Sequence, residues 1–265
     1  MKIGMKELSA VQVASIRILS AGLLLLPFAF KAYKAVPKNK LGYVIASGLL
    51  GSFFPAFLFC VAETRIDSAL TGVLNSFTPV FTIIIGAAFF QLQVTRQKVI
   101  GVIIGFIGLV LLPFASEKGI NFKDVSYSLL VIVATVCYGI NVNMVGRHLR
   151  EIQPLQIASV AFAFLIIPCI IILFISGFFQ LPLEQHEYLM ATLVSSVLGI
   201  FGTAIASVLF YMLVKSAGTL FASLVTYGIP FVAIMWGFIF LEPITILQVL
   251  CLGIILGGVY LVNRK

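Results

Sequence analysis

Arg17 is the one charged residue that lies well inside an apolar stretch of this sequence, between Leu8 and Phe30. A charge at that depth in a membrane segment is costly unless it is paired or faces water, so it marks a functional site by default. A cation there can bind an anionic group, and its nearest acidic candidates are Glu63 and Asp67. The alternative is snorkelling, because Arg17 lies only about 10 Å into its helix and a long side chain can reach the interface.

Two prolines, Pro79 and Pro230, occupy matching places in the two halves of the sequence, and polar residues precede both. A proline inside a helix removes a backbone hydrogen bond and crowds the carbonyl four residues earlier, which kinks the helix and frees polar backbone. Asn75 precedes the first proline, and Thr226 and Tyr227 precede the second at the equivalent level. We therefore predict two gating kinks with substrate-binding side chains. The alternative is that these residues only bridge packed helices.

The stretch "VCYGINVNMVG" adds the polar side chains of Tyr138, Asn141 and Asn143 to one apolar segment. Tyr138 and Asn141 are three residues apart and share a helix face, whereas Asn143 points elsewhere and is expected at an interface. Tyr211 and Trp236 are weaker candidates, because aromatic residues also gather at membrane interfaces. The predicted substrate-binding residues are Arg17, Asn75, Tyr138, Asn141, Thr226 and Tyr227.

The sequence lacks the patterns of several other chemistries. Four cysteines stand singly without any C-x-x-C or Cys/His spacing, so we expect neither a metal site nor a cofactor. Both histidines fall in predicted loops, and no P-loop, H-E-x-x-H or Ser/His/Asp set occurs, so we do not expect an enzyme. No Asp or Glu falls at mid-membrane depth, which leaves a proton-coupled mechanism without an evident buried carboxylate.

The segments that carry these residues are long enough to cross a membrane. Of the 265 residues, 61% are apolar and 10% are charged, far outside the usual range of a water-soluble domain. The apolar runs are apolar on all faces, unlike the alternating strands of a membrane barrel. We predict an all-α polytopic membrane protein with nine helices: Val11–Tyr33, Leu41–Ala62, Ala69–Phe90, Val99–Phe114, Val125–Gly146, Pro154–Phe178, Tyr188–Val214, Thr219–Leu241 and Ile246–Val262.

The net charge of +8 is distributed by loop. Lysines and arginines concentrate in alternate loops, and acids concentrate in the others. By the positive-inside rule the basic loops and the C-terminus face the cytoplasm of a multi-pass cell-membrane protein, of bacterial type, whose partners are the bilayer and a small molecule. This distribution argues against nucleic acid as a partner.

One unit is written twice along the chain. "ELSAVQVASIR" begins at Glu7 and "EIQPLQIASVA" begins at Glu151, and later "TPVFTIIIGAAFFQ" corresponds to "IPFVAIMWGFIFLE". The predicted repeats cover residues 1–116, with four helices, and 120–265, with five. "MKIGMK" stands where a first helix of the first repeat is expected, which favours a truncated sequence over a natural nine-helix design. Repeats of five helices lie oppositely in the membrane, so we predict a 5+5 inverted-repeat bundle.

Five stretches carry a family resemblance: "SAVQVASIRILSAGLLLLP", "ALTGVLNSFTPVFTIIIGAAFF", "GVIIGFIGLVLL", "LFASLVTYGIPFVAIMWGFIFLEPIT" and "GIILGGVYLV". In these the chain resembles EamA-type permeases of the drug/metabolite transporter superfamily. The resemblance implies ten helices as a 5+5 inverted repeat, an arginine at Arg17, and movement of small metabolites, often outward. The family pattern also has an acid where this chain has Gln91, and the second half keeps it as Glu242.

The expected function is membrane transport of a small organic metabolite by alternating access, with export of amino acids or related compounds favoured. One cation among neutral polar and aromatic groups suits zwitterions or anions. The alternatives are a non-transporting scaffold, as a decayed transporter fragment, and a channel.

Gly101-x-x-x-Gly105 and Gly253-x-x-x-Gly257 occur in the last helix of each half. Glycines at this spacing let helices approach closely. We expect them to serve helix packing or a homodimer contact.

Overall fold

The computed structural model describes residues 4–66, 68–111, 125–229, 231–232 and 245–264. Within these ranges every regular element is helical, which confirms the prediction of an all-α protein. The α-helices are α1 Ala10–Ala35, α2 Lys38–Gly48, α3 Phe54–Ala62, α4 Ser68–Asn75, α5 Thr78–Phe89, α6 Arg96–Leu111, α7 Val125–His148, α8 Pro154–Ile175, α9 His186–Gly199, α10 Ala206–Ala217, α11 Thr219–Ser223 and α12 Ile246–Asn263.

Six helical stretches of the described chain are long and apolar enough to cross a membrane. They are Ala10–Ala35, Lys38–Ala62, Leu70–Phe89, Ser126–His148, Pro154–Ile175 and His186–Ala217. Shorter apolar helices cover Thr219–Gly228 and Ile246–Val262, and α6 adds a further short helix. These stretches follow the predicted apolar runs, because a backbone inside a bilayer must satisfy its own hydrogen bonds.

The repeated sequence that begins at Glu7 and again at Glu151 forms the start of a helix in both copies. Ser9 caps α1: its Oγ accepts a hydrogen bond from the Gln12 amide at 3.2 Å, and its own amide donates to Gln12 Oε1 at 2.9 Å. In α8 the amide of Gln153 donates to Gln156 Oε1 at 3.2 Å in the same arrangement. Each glutamine satisfies a backbone N–H that the first turn would leave unpaired.

Helices that are equivalent in the two repeats pack against each other. The most extensive helix contacts join α1 to α8 and α6 to α12. The contact of α1 with α9 is matched by that of α8 with α2, as expected when two similar halves exchange roles across an axis. The largest hydrophobic core lies around α1 and α8, and α7 packs on α3 and α5.

Two spans each contain one turn of π-helix at the same place in the repeat. The first π turn is Leu49–Phe53, between α2 and α3, and the second π turn is Ile200–Ile205, between α9 and α10. They follow Gly48 and Gly199, which begin the matching sequences "GLLGS" and "GIFGT". A π turn interrupts the regular ladder of an α-helix and is frequent at functional sites.

In both halves, the membrane segment that follows the π turn is also interrupted by residues that are not α-helical. Ser76 and Phe77 separate α4 from α5, and Pro79 lies in the first turn of α5. In the second half, α11 is followed by the 3₁₀ helix Leu224–Gly228. The first break immediately precedes the turn that contains Pro79; Pro230, two residues after the 3₁₀ helix in the sequence, lies outside the described residues, as do Asp67, Trp236 and Glu242.

The helix ends that carry the lysine- and arginine-rich loops lie together at one end of the bundle, which we call the basic face. There the rings of Tyr43 and His148 are stacked with centroids 4.5 Å apart, and Phe90 meets the same histidine edge-on at 6.1 Å. Arg147 Nη2 donates a hydrogen bond to Gln91 Oε1 at 3.1 Å. These contacts join α2, α5 and α7 at the basic face.

Candidate binding site between the repeats

Arg17, near the start of α1, reaches across to the other repeat. Its Nε donates a hydrogen bond to Thr203 Oγ1 in the second π turn, at 2.6 Å. The backbones approach closely because Gly199 has no side chain: a Cβ there would collide with the carbonyl oxygen of Arg17 and with Ser20 Oγ. The arginine is therefore positioned by a tight contact between α1 and the second half.

Helix α3 packs on both α1 and α7, and so joins the helix of Arg17 to the helix of Tyr138. The Tyr138 ring stacks on Phe59 with centroids 6.1 Å apart. Glu63 is the C-cap of α3. Helices α1, α3 and α7 and the second π turn therefore meet in this part of the bundle.

Asn141 lies one turn further along α7 and is only 2% exposed. Its Nδ2 lies against Gly51 of the first π turn, where a Cβ would collide with it. The phenol of Tyr211, which is also buried, lies near the side chains of Asn141 and Ser47. Asn141 Oδ1 is buried and has no hydrogen-bond partner in the described structure. A buried acceptor without a donor costs about 1–3 kcal/mol, and among the described residues Thr192 Oγ1 shares this condition.

We call Arg17, Tyr138, Asn141, Thr203 and Tyr211 the central site. Sequence patterns predicted the first three as substrate-binding residues and Tyr211 only weakly, and they missed Thr203 and the neighbouring Ser47. The signal that could have found the missed hydroxyls is the repetition of "GLLGS" and "GIFGT", since Thr203 ends the second copy.

The two π turns contact equivalent helices in equivalent ways, but only one contact carries a charge. A Cβ at Gly48 would lie 3.0 Å from the Cβ of Ala161 in α8, as one at Gly199 would meet Arg17 in α1. Ala161 occupies the position in α8 that Arg17 occupies in α1, counted from the repeated line. At these equivalent positions, α1 therefore carries a guanidinium and α8 carries a methyl group.

Asn75 and Thr226 lie at the two helix breaks, and both are partly buried. Thr78 Oγ1 donates a hydrogen bond to the Asn75 carbonyl oxygen at 2.8 Å, and Thr226 Oγ1 donates to the Ser223 carbonyl oxygen at 3.0 Å. These bonds satisfy backbone carbonyls that the breaks release. No contact in the described structure joins either residue to the central site, and their binding role stays a prediction.

Tyr227 is packed away from the central site. It is 1% exposed, its hydroxyl donates a hydrogen bond to the Val102 carbonyl oxygen at 3.0 Å, and its ring fills the space beside Gly105. The hydrophobic cluster around it contains Leu109 and Ile255, from α6 and α12. The hydroxyl predicted to bind substrate is thus engaged with the backbone of α6 in this conformation.

The close crossing of α6 and α12 rests on glycine. A Cβ at Gly101 would lie 2.8 Å from the Gly258 carbonyl oxygen, and one at Gly105 would lie 2.6 Å from the Tyr227 ring. A Cβ at Gly253 or Gly257 would meet no atom of the described structure within 4 Å. On α12 the close contact therefore falls on Gly258 rather than on the two glycines that the spacing indicated.

Asn143 serves the interface between α7 and α5. Its Nδ2 donates hydrogen bonds to the carbonyl oxygens of Thr82 at 2.9 Å and Gly139 at 2.8 Å. The four cysteines are free thiols, and no three His, Cys, Asp or Glu residues among those described could hold a metal ion together.

Comparison with known proteins identifies the family. The profile of the EamA-like transporter family matches residues 1–114 and 125–264. An uncharacterized transporter of Archaeoglobus fulgidus is 30% identical over 266 residues, which cover 100% of this chain and 92% of that protein. The inner membrane transporter YedA of Escherichia coli is 24% identical, covering 99% and 84%. One solved crystal structure, 15% identical, covers 97% of this chain and 88% of its own with a TM-score of 0.74, which supports the fold.

The chain belongs to the EamA-like transporter family, as its resemblance to these permeases predicted. It is a multi-pass membrane transporter, and its family is one of transporters rather than enzymes. A further similar protein, from Salmonella typhimurium, bears the name "Probable amino-acid metabolite efflux pump" and is 31% identical over 120 residues, which cover 44% of this chain and 40% of that protein.

Proposed function

We propose that the protein exports a small zwitterionic metabolite, of the amino-acid class, across the cytoplasmic membrane by alternating access. The observation that carries this proposal is the central site, where Arg17 meets Thr203 of the other repeat and Asn141 holds a buried acceptor without a donor. The name of the similar Salmonella typhimurium protein supports the substrate class and the outward direction.

The central site matches the two charged ends of such a substrate. The Arg17 guanidinium attracts a carboxylate, and this attraction is strong in a medium of low dielectric constant. Asn141 Oδ1 accepts a hydrogen bond from an ammonium group, which supplies the donor that the atom lacks. Tyr138 and Asn141 lie about 4.5 Å apart along the axis of α7 and share a face of that helix, so both side chains can contribute to one site with Arg17.

The inverted repeat supplies the transport cycle. Two similar halves that rock around a shared site expose it first to one side and then to the other. The contacts among Tyr43, His148 and Phe90, with the bond from Arg147 to Gln91, link α2, α5 and α7 at the basic face. By the positive-inside rule that face and the C-terminus lie in the cytoplasm, so substrate enters there once these contacts open.

The test is counterflow in proteoliposomes loaded with an unlabelled amino acid, using a radiolabelled amino acid outside. We expect saturable uptake that the intact amino acid inhibits and that its methyl ester and N-acetyl derivative do not. Absence of counterflow across a panel of amino acids, in protein that is correctly inserted, would contradict the proposal and favour a scaffold. Conduction without saturation would favour a channel.

Direction and orientation need separate measurements. Cells that express the protein should hold less of the substrate than cells that express Arg17→Gln at the same level. Fluorescence of a C-terminal green fluorescent protein fusion, which folds only on the cytoplasmic side, should be high. Greater accumulation in the expressing cells would reverse the proposed direction.

A further inference from the structure

A cavity of about 290 Å³ opens at the basic face, away from the central site. It lies between the loop from α5 to α6, the turn from α10 to α11 and the end of α12, and so joins parts of both repeats. Its lining includes Gln93, Lys98, Gly218, Thr219 and Arg264. Gly218 has a φ of 89°, a backbone conformation that glycine adopts without strain, and it brings the α10–α11 turn to the rim.

Two basic side chains line the cavity, and none of its lining residues is acidic. Lys98 and Arg264 both line it, and neither side chain makes a hydrogen bond or an ion pair with the described residues. Lys98 and Arg96 also occupy the first turn of α6, which contains no acid. The N-terminus of a helix carries a partial positive charge, so two cations there oppose the helix dipole. An anion in the cavity would relieve this repulsion.

The backbone segments that carry the two cations are tied together. Gln97 Nε2 donates hydrogen bonds to the carbonyl oxygens of Leu261 at 3.0 Å and Arg264 at 3.1 Å, which fastens the end of α12 to the start of α6. The crossing of the same helices at Gly101 and Gly258 leaves no room for sliding. The backbone positions that carry the two cations are therefore held next to each other at the cavity, and only the side chains have to be ordered when an anion binds.

We propose that this cavity binds a phosphate group, either on the headgroup of an anionic phospholipid or as free phosphate. A guanidinium can donate two parallel hydrogen bonds to the oxygens of a phosphate, and the ammonium of a lysine is a compact positive charge that also attracts them. Basic clusters next to membrane helices attract anionic headgroups, and this cavity lies at the ends of three membrane helices. A bound phosphate would tie the α5–α6 loop of one repeat to the α10–α11 turn of the other.

The test measures binding by the full-length protein in detergent. Native mass spectrometry with phosphatidylglycerol should detect bound lipid, and phosphatidylcholine should bind more weakly. The variant Lys98→Gln/Arg264→Gln should lower the affinity for phosphatidylglycerol about tenfold. The matched control Lys31→Gln/Lys38→Gln removes two exposed cations from the same face but outside the cavity, and it should retain the affinity.

A second variant and a second probe separate the remaining outcomes. Gln93→Glu keeps both cations and adds an anion to the lining, so it should also weaken binding. A rise in melting temperature with inorganic phosphate, measured against chloride, would identify free phosphate as a ligand, and lipid binding without that rise would identify the headgroup. Equal loss in the cavity variant and the control, or no loss in either, would overturn the proposal. These assays do not depend on transport, so they stand apart from the proposed export function.

Discussion

The Nε of Arg17 in α1 lies 2.6 Å from Thr203 Oγ1, in the second π turn of the opposite repeat. This bond crosses between the halves at a glycine contact that leaves no space for a side chain at Gly199. An alternating-access cycle moves one half of the protein against the other around the substrate site. The hydrogen bond from Arg17 to Thr203 lies at that boundary in the proposed cycle.

Arg17→Gln should abolish export while the protein stays inserted, because the substrate carboxylate loses its counter-charge. Thr203→Val removes the interhelical acceptor but keeps the charge, and we expect it to raise KM less than Arg17→Gln does. The measurement is counterflow normalised to membrane-inserted protein. The matched control is Arg65→Gln, which removes an arginine at a helix end. This variant should transport as well as the unmodified protein. Full transport by Arg17→Gln would show that the guanidinium does not bind the substrate.

Asn141 and Asn143 offer a matched pair on α7. Asn141→Leu removes a buried acceptor that has no donor, so it should keep or raise the melting temperature while export is lost. Asn143→Leu removes two hydrogen bonds to backbone carbonyls and should lower stability by about 1–3 kcal/mol. Thermal unfolding in detergent distinguishes the two. A large fall in melting temperature for Asn141→Leu would mean that the atom has a structural partner.

Gly199→Ala should destabilise the protein strongly. Its Cβ would collide with backbone of α1, whereas the Cβ of Gly48→Ala would only be tight against Ala161 at 3.0 Å. Gly42→Ala, a helical glycine with nothing within 4 Å, is the control and should be neutral or stabilising by about 1 kcal/mol. Melting temperatures should therefore fall in the order Gly42→Ala, Gly48→Ala, Gly199→Ala. Equal stability of the last two would contradict the close approach of α1.

Tyr227→Phe tests two different roles for one hydroxyl. The hydroxyl bonds the Val102 carbonyl oxygen, so its loss should lower stability by about 1 kcal/mol and leave KM unchanged. Counterflow and thermal unfolding of the same preparation provide both values. A raised KM at an unchanged melting temperature would instead support the substrate-binding role that the sequence suggested.

Gln91→Glu should strengthen the contact with Arg147 at the basic face. The exposed pair gains an attraction of up to about 1 kcal/mol, so opening of that face should slow and turnover should fall. Because salt screens exposed charges, the effect should shrink as ionic strength rises. Stopped-flow counterflow at low and high salt measures it, and Gln180→Glu, which adds an exposed acid after α8, is the control. Identical salt dependence in both variants would contradict a specific pair.

Much of the fold could be predicted from the sequence because a bilayer imposes simple rules. The predicted segment Val11–Tyr33 corresponds to α1 at Ala10–Ala35, and Pro154–Phe178 corresponds to α8 at Pro154–Ile175. Apolar length and basic loops decide these positions. The glutamines Gln12 and Gln156 cap their helices by hydrogen bonds to residues only three positions away. Interactions at such short separations can be predicted from the sequence.

The central site was harder to predict because its geometry depends on breaks in the helices. A 3₁₀ or π turn changes the angle between successive side chains, so a face assigned from α-helical spacing is wrong beyond the break. Tyr227 lies in such a 3₁₀ helix and turns toward Gly105 rather than toward Arg17. Likewise, spacing marked Gly253 and Gly257, but only the crossing of two helices determines that Gly258 makes the contact.

The paired π turns also have a mechanical consequence. Each follows a glycine and has the same order of small, apolar and hydroxyl residues, "GLLGS" and "GIFGT". A π turn interrupts the regular hydrogen-bond ladder of the helix that contains it, and helices bend preferentially at such turns. The two spans therefore have matching points of bending, one in each half of the chain.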